Sequence, residues 1–185
     1  MMIFWIIWIV WCASEILLNR LMRSGSNDKK GQDKGSLTFI WIMIALAISS
    51  GTIFSNHIKV PISNQLLISF IGLVIIIGGM VLRFGSIWTL GKFFTVDVTI
   101  RDSHQLKNDG VYKILRHPSY SGSLISFIGF GISLNNWLSL ISITILITIA
   151  LIYRIRIEEK ILTGQFGTDY LDYKKNTYRL IPWIY

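Results

Sequence analysis

Five stretches of mostly apolar residues divide the chain, and polar segments of unequal length separate them. The stretches cover about 1–18, 37–55, 65–84, 120–134 and 137–153. A helix needs roughly 20 apolar residues to cross a bilayer, so the last two stretches are short for a span. Only Asn135-Asn136 separates these two, which predicts a tight turn between antiparallel helices. The pattern predicts an all-α integral membrane protein with about five transmembrane helices, the last two forming a short helical hairpin.

The basic residues indicate how these helices are oriented. The net charge is +8, and all Lys and Arg residues except Lys59 lie in 19–36, in 83–118 or after residue 153. With five spans these segments share one side of the membrane, which the positive-inside rule makes cytoplasmic. The N-terminus is then outside, and the C-terminus is cytoplasmic. Because membrane orientation explains the positive charge, we expect no nucleic-acid partner.

Two regions follow from the same pattern. Residues 1–64 contain the first two helices and their loops, and residues 65–185 contain the third helix, the loop 85–119, the hairpin 120–153 and the segment 154–185. Both long polar segments flank the hairpin, so we expect them to fold back onto one membrane face. Within the loop, β-branched residues at 93–100 favour an extended segment, and Asn108-Asp109-Gly110 favours a turn.

A polar cluster, Arg116-His117-Pro118-Ser119-Tyr120, lies where the fourth apolar stretch begins. Proline is tolerated in the first turn of a helix, so Pro118 is predicted to start the fourth helix, with His117 exposed before it. The positive end of the helix dipole and free backbone N–H groups there favour an anionic ligand group. The alternative is an interfacial anchor, with Tyr120 in an aromatic belt and Arg116 at a lipid phosphate.

A second group of charges follows the fifth stretch. Arg154 and Glu158 are four positions apart and share one helix face, and Arg156 shares another face with Glu159 or Lys160. An ordinary basic flank with weak ion pairs is one interpretation. The adjacent carboxylates Glu158-Glu159 favour a site instead, because repulsion and desolvation beside the membrane are costly for a simple anchor.

Three further features complete the list of candidates. Glu15, near the cytoplasmic end of the first stretch, is expected to snorkel or to pair with Arg20 or Arg23. Gly78-Gly79 in the third stretch predicts close helix contact. No compact His, Cys or carboxylate pattern suggests a metal site, so none is predicted.

Taken together, these motifs resemble the isoprenylcysteine carboxyl methyltransferase family, which is related to the phospholipid N-methyltransferases. The resemblance covers about residues 80–185. It rests on the segments 104–112 and 116–122, on Arg154 with Glu158-Glu159, and on the C-terminal segments 166–175 and 180–184.

This resemblance implies a membrane enzyme whose methyl donor is S-adenosyl-L-methionine, with S-adenosyl-L-homocysteine as product, bound at the cytoplasmic ends of the last helices. The implied catalytic residues are Arg154 and Glu158, and Arg154 also binds the acceptor. The chain departs from the family at Asp97, where glutamine is frequent, and at Lys107, where a hydrophobic residue is usual, so Lys107 is expected to contribute mainly its backbone. The implied donor contacts are His104, Gln105, Leu106, Lys107, Tyr112, His117, Pro118, Ser119, Tyr120 and Glu158.

The expected reaction is methylation of a lipophilic carboxylate, as in prenylcysteine O-methylation, with the bilayer and a lipophilic or prenylated substrate as partners. A carboxylate is already ionised near pH 7, so this reaction needs no general base. Two alternatives stay open. One is N-methylation of a lipid amine, in which Glu158 or Glu159 assists loss of a proton, and the other is a non-catalytic lipid-binding membrane protein of the same fold.

Overall fold

The computed structural model describes residues 2–22, 35–91, 94 and 106–185. In these ranges the chain forms six α-helices and a 3-10 helix at Gly110–Lys113. The predicted extended segment at 93–100 lies outside the described residues apart from Phe94. The α-helices are α1 (Met2–Leu21), α2 (Ser36–His57), α3 (Leu67–Leu90), α4 (Pro118–Ser133), α5 (Trp137–Phe166) and α6 (Thr168–Lys175).

Four of the described helices, α1, α2, α3 and α5, are long and apolar enough to cross a membrane. The α4 helix has 16 residues, fewer than the roughly 20 that a span requires. The α5 helix has 30 residues and is therefore about 45 Å long, well beyond the roughly 30 Å hydrocarbon core. The predicted all-helical membrane architecture is confirmed for the described residues, and α5 carries its last turns past the apolar stretch that the sequence pattern identified.

Glycines allow α3 and α4 to pack with their backbones in contact. Gly72 lies against Gly129, and Gly79 lies against Gly122, so that a Cβ atom at any of these positions would meet backbone of the other helix. The seven-residue spacing on each helix places both contacts on one face. The predicted close contact at Gly78-Gly79 is confirmed for Gly79, whereas Gly78 faces open space.

Aromatic side chains attach α1 to α4. Trp11 packs edge-on against Phe127 with ring centroids 4.7 Å apart, and Trp8 packs against Phe130 at 5.1 Å. The α2 helix packs mainly against α5, and α4 also contacts α5. The N-terminal helices therefore belong to the same bundle as the rest of the chain.

The two helices of the hairpin meet at the predicted turn. Asn135 has a positive φ of 48°, a conformation that asparagine tolerates better than most residues. The Asn136 side chain then caps α5 by accepting a hydrogen bond from the Ser139 N–H at 3.1 Å. Asn135 also accepts bonds from the N–H groups of Ile62 and Ser63, so the turn holds the α2–α3 loop as well.

Candidate active site

The C-terminal segment covers the residues that precede α4. The Arg116 N–H donates to the Tyr178 carbonyl at 2.7 Å, and the His117 N–H donates to the Arg179 carbonyl at 3.2 Å. The Ser121 hydroxyl donates to the Leu180 carbonyl at 2.6 Å. His117 is consequently only 5% exposed, so the prediction of an exposed histidine was wrong. The predicted start of α4 at Pro118 is confirmed.

The helix terminus itself offers less to an anion than the sequence suggested. Pro118 has no N–H, and the N–H groups of Tyr120 and Ser121 both donate to the His117 carbonyl at 3.0 Å. These two amides are thereby satisfied within the first turn. Recognition at this end of α4 therefore depends on side chains more than on backbone amides.

Tyr120 from α4 lies between Arg154 and Glu158 from α5. Its hydroxyl donates a hydrogen bond to Glu158 Oε2 at 2.8 Å and accepts one from Arg154 Nε at 3.3 Å. Arg154 is 1% exposed and also bonds the hydroxyl of Ser36 on α2, whereas the Glu158 side chain is 28% exposed. The predicted Arg154–Glu158 face exists, and the tyrosine connects its two charges.

His117 lies beside this group. Its ring stacks on Tyr120 with centroids 5.7 Å apart, and its Nδ1 is 3.9 Å from Glu158 Oε2. Its Nε2 is 3.5 Å from Glu159 Oε1 and is buried without a hydrogen bond within the part of the chain that the structure describes. An imidazole with one nitrogen facing each carboxylate can hold or orient a ligand group between them.

Glu159 points into the protein rather than along the exposed face of α5. Arg156 and Lys160 are exposed while Glu159 is buried, so of the two partners predicted to share a face with Arg156, Lys160 fits and Glu159 does not. Glu159 Oε1 accepts from Arg116 Nε at 3.1 Å, and Oε2 accepts from Arg179 Nη2 at 2.9 Å. Its own hydrogen bonds to Glu159 raise the pKa of the Arg179 guanidinium. The Lys174 ammonium lies 3.4 Å away.

The remaining predicted donor contacts fall into two groups. His104 and Gln105 lie outside the described residues, and Lys107, which follows Leu106, pairs with Asp109 at 3.0 Å on the surface. Tyr112 is buried in the 3-10 helix, and its hydroxyl donates to the carbonyl of Ser86 on α3 at 3.2 Å. Burial, and then the charge of Glu158, raises the pKa of Tyr112 above its usual range.

An apolar cavity of about 210 Å³ leads from the membrane helices to Tyr120 and Arg154. Residues from α1, α2, α3, α4 and α5 line it. Its hydrocarbon walls include Trp11, Ile40, Ile44, Ile48, Phe127 and Leu151. A buried guanidinium and a tyrosine hydroxyl at the edge of an apolar volume fit a molecule with a long hydrocarbon part and one anionic group.

Glu15 and Arg83 also line this cavity. Glu15 Oε1 lies 2.6 Å from Arg83 Nε, and Oε2 accepts from Arg83 Nη2 at 2.7 Å. The partner of Glu15 therefore comes from α3 and not from Arg20 on the same helix, whereas Arg23, the other predicted partner, lies outside the described residues.

Sequence reasoning missed the roles of Glu159, Arg179 and Arg83. Glu159 and Arg116 both belong to the motifs quoted above. The adjacent carboxylates Glu158-Glu159, together with the basic residues before α4, were therefore the sequence signal that could have indicated the role of Glu159. Arg83 and Arg179 were counted only as basic flanks of membrane spans. Spacing along the chain does not reveal that they converge on carboxylates 68 and 20 residues away.

Known proteins resemble this chain in sequence and in fold. The sequence model described as phospholipid methyltransferase matches residues 67–169. A probable protein-S-isoprenylcysteine O-methyltransferase of Oryza sativa subsp. indica is 36% identical over 119 residues, which are 63% of this chain and 62% of that protein. Protein-S-isoprenylcysteine O-methyltransferase B of Arabidopsis thaliana is 39% identical over 119 residues, 63% of this chain and 60% of that protein.

A solved structure is similar in fold. It is described as the eukaryotic intramembrane Ras methyltransferase, isoprenylcysteine carboxyl methyltransferase, and it matches with a TM-score of 0.65 and 33% identity over 78% of this chain and 52% of that one. The resemblance that the motifs indicated is confirmed. The chain spans about 60% of the length of the two curated plant relatives.

Proposed function

The chain belongs to the phospholipid methyltransferase family, and we propose that it transfers a methyl group from S-adenosyl-L-methionine to a lipophilic carboxylate, as in O-methylation of a prenylcysteine. The observation that carries the proposal is the position of Tyr120. It connects Arg154, which lines the apolar cavity, to Glu158, which is partly exposed. One tyrosine thus separates an acceptor side from a donor side.

On the acceptor side, Arg154 binds the carboxylate and the cavity takes the hydrocarbon. A guanidinium matches a carboxylate with charge-assisted hydrogen bonds, which are stronger where water is excluded. At 1% exposure Arg154 has this environment. The acceptor carboxylate is ionised near pH 7 and attacks without a general base, which fits a site that holds the carboxylate with a cation. The hydrocarbon part enters laterally from the lipid.

On the donor side, the side chains present fit S-adenosyl-L-methionine. When bound, it supplies an electrophilic methyl group on a positively charged sulfur. The partly exposed Glu158 carboxylate complements the cationic groups of this donor, and the buried Nε2 of His117 is a polar atom to which the structure gives no hydrogen bond among the described residues. We propose that His117 to Tyr120 and Glu158 hold the donor, together with Tyr112 and the segment 104–107.

The residues of the chain then act by orienting the two reactants and by excluding water from the site. Bringing two reactants into line contributes on the order of 7–11 kcal/mol to lowering a barrier. The Tyr120 hydroxyl fixes Arg154 relative to Glu158, and Glu159 holds Arg116 and the C-terminal segment over His117. Closing the site in this way also limits loss of the methyl group to water.

The same proposal includes the orientation of the chain in the membrane and the extent of its methyltransferase core. We propose an outside N-terminus, with the C-terminus and the site in the cytoplasm, and a methyltransferase core within 65–185. The distribution of Lys and Arg supports the orientation. The family match over 67–169 supports the core. The acceptor is then a prenylated cysteine at a cytoplasmic membrane surface.

A lipid amine is the second candidate acceptor, because the matching family model is described as phospholipid methyltransferase. An ammonium must lose a proton before it attacks. Glu158, partly exposed and bonded to Tyr120, is placed to assist. This reaction uses Arg154 less, since the acceptor group carries no negative charge.

The two reactions are separated by the bond that they form. Purified protein in detergent, or in vesicles of phosphatidylethanolamine and phosphatidylcholine, is supplied with methyl-labelled donor and with a farnesylated N-acyl cysteine, a fatty acid or the phospholipid amine itself. We expect label on the farnesylcysteine that is released as methanol by mild base, because a methyl ester hydrolyses. Base-stable label on the aminolipid alone would replace the carboxylate proposal, and no transfer to any acceptor would leave a non-catalytic lipid-binding protein.

A further inference from the structure

The Glu15–Arg83 ion pair connects α1 to α3 on the wall of the acceptor cavity. Two nitrogens of the guanidinium face the two carboxylate oxygens, at 2.6 Å and 2.7 Å. The side chains of Arg83 and Glu15 are 13% and 18% exposed. Only the Nη2–Oε2 contact is a hydrogen bond, because Arg83 Nε and Glu15 Oε1 have no hydrogen-bond partner among the described residues. This bond and the close Nε–Oε1 ion pair together hold the direction of the Arg83 guanidinium.

The third nitrogen of Arg83 reaches the first turn of α4. Its Nη1 donates to the Ser119 carbonyl at 3.2 Å and lies 3.2 Å from the Ser119 hydroxyl. Ser119 stands between Pro118 and Tyr120, in the turn that begins with the His117 cap. One guanidinium, oriented from α1, therefore holds the backbone of the turn in which the proposed donor and acceptor sides meet.

Anchoring of α1 does not explain this pair. Compared with two apolar side chains of similar size, a largely buried ion pair gains little net stability, because the desolvation of two charges offsets their attraction. Tryptophan–phenylalanine contacts already join α1 to α4. Glu15 also lies outside the family match at 67–169, whereas Arg83 and Ser119 lie within it. The pair thus connects a helix outside the matched region to the turn that carries Tyr120.

We infer that Glu15 is a positioning residue for methyl transfer. Through Arg83 it fixes the Ser119–Tyr120 turn, and with it the Tyr120 hydroxyl between Arg154 and Glu158. Glu15 itself contacts neither the donor nor the reacting carboxylate. The inference rests on the proposed function and extends the site to the first helix of the chain.

The test separates positioning from attachment of α1. Five proteins are compared for kcat, acceptor KM, donor affinity and thermal midpoint in detergent: wild type, Glu15→Gln, Arg83→Lys, Arg83→Glu and the swap Glu15→Arg with Arg83→Glu. Asp172→Asn is the control, because it breaks an exposed ion pair with Lys175.

In Glu15→Gln we expect kcat to fall about tenfold, as for loss of one charge-assisted hydrogen bond. We expect a smaller change in donor affinity, because the same turn also belongs to the proposed donor side. We expect a similar fall in Arg83→Lys, because an ammonium cannot face both Glu15 oxygens and the Ser119 carbonyl in the same fixed plane.

The swap gives the decisive readout. It restores the attraction between α1 and α3, so its thermal midpoint lies closer to wild type than that of Arg83→Glu alone. A carboxylate at position 83 cannot donate to the Ser119 carbonyl, so its kcat stays at least about tenfold below wild type. Recovery of kcat together with the midpoint, or a Glu15→Gln kcat within twofold of wild type, would overturn the inference. A wild-type protein without methyl transfer overturns the proposed function, and the inference with it.

Discussion

Glu159→Gln is expected to release the C-terminal segment from the site. The substitution keeps the shape of the side chain but removes its charge and replaces one acceptor oxygen with an NH₂ group. The side chains of Glu159 and Arg116 are only 4% and 8% exposed, so this pair is desolvated. Arg179 and Lys174 also face the carboxylate but are partly exposed, so water screens their attraction to it.

The free-energy cost of Glu159→Gln follows from the burial of the Glu159–Arg116 pair. Removing one partner of a buried ion pair costs about 3–5 kcal/mol, because the other charge stays buried without compensation. The exposed pair of Lys175 with Asp172 gives at most about 1 kcal/mol. We therefore expect local opening of the segment after α6 to become at least about a hundredfold more frequent in Glu159→Gln, at 1.4 kcal/mol for each factor of ten.

Limited proteolysis measures this opening directly. Trypsin cleaves after Arg179 only while 176–185 is detached, so the initial cleavage rate reports the open population when reclosing is fast. Glu158→Gln is the matched control, because it removes the neighbouring charge without touching the Arg116 bond. A cleavage rate that rises less than tenfold in Glu159→Gln, or that rises equally in both variants, would refute the conclusion that Glu159 holds the C-terminal segment in place.

Two further predictions concern packing and pH. Gly79→Ala places a methyl group against the backbone of Gly122 on α4 and is expected to cost about 1–3 kcal/mol, whereas Gly78→Ala meets open space and leaves the thermal midpoint almost unchanged. Burial, and then the charge of Glu159, raises the pKa of Tyr170, so its contribution to stability is complete below pH ~10 and is lost at higher pH. Thermal unfolding of Tyr170→Phe and of wild type is measured at pH 8 and at pH 11. The loss of stability from pH 8 to pH 11 is expected to be smaller in Tyr170→Phe than in wild type.

Local rules were enough to predict the long apolar helices and the turn that joins α4 to α5. Pro118 starts α4 because proline fits the first turn, and Asn135-Asn136 forms a turn because asparagine tolerates a positive φ and caps a helix. Close packing at Gly79 also followed from sequence. These features depend on a few neighbouring residues, which is why the sequence pattern reveals them.

The partners of buried charges depend on tertiary packing and could not be predicted in this way. Glu15 was expected to snorkel or to pair with Arg20 or Arg23, but Arg83 from α3 lies within 2.7 Å of both of its oxygens. His117 was expected to be exposed, but the pairing of 178–180 with the residues before α4 buries it. Both errors arose where segments that are distant in sequence cover a polar group.

Part of the candidate site could be predicted from the sequence, because its residues cluster in short motifs. Those motifs gave the resemblance, and the spacing of Arg154 and Glu158 put them on one helix face. The insertion of the Tyr120 hydroxyl between them depends on how α4 crosses α5, which spacing does not encode. The same limit applies to Glu159, whose direction is set by the cations that surround it.

The division of the site at Tyr120 is tested most directly by measuring donor binding and acceptor turnover in Arg154→Ala and Glu158→Gln. Calorimetry with S-adenosyl-L-homocysteine in detergent gives the first quantity, and methyl transfer to a farnesylated N-acyl cysteine gives the second. We expect Arg154→Ala to bind the donor product within about threefold of wild type and to lose turnover at least about a hundredfold. We expect Glu158→Gln to bind it at least about tenfold more weakly, as for loss of a charged hydrogen-bond partner. The opposite pattern, or equal losses of both quantities in both variants, would contradict a donor side at Glu158 and an acceptor side at Arg154.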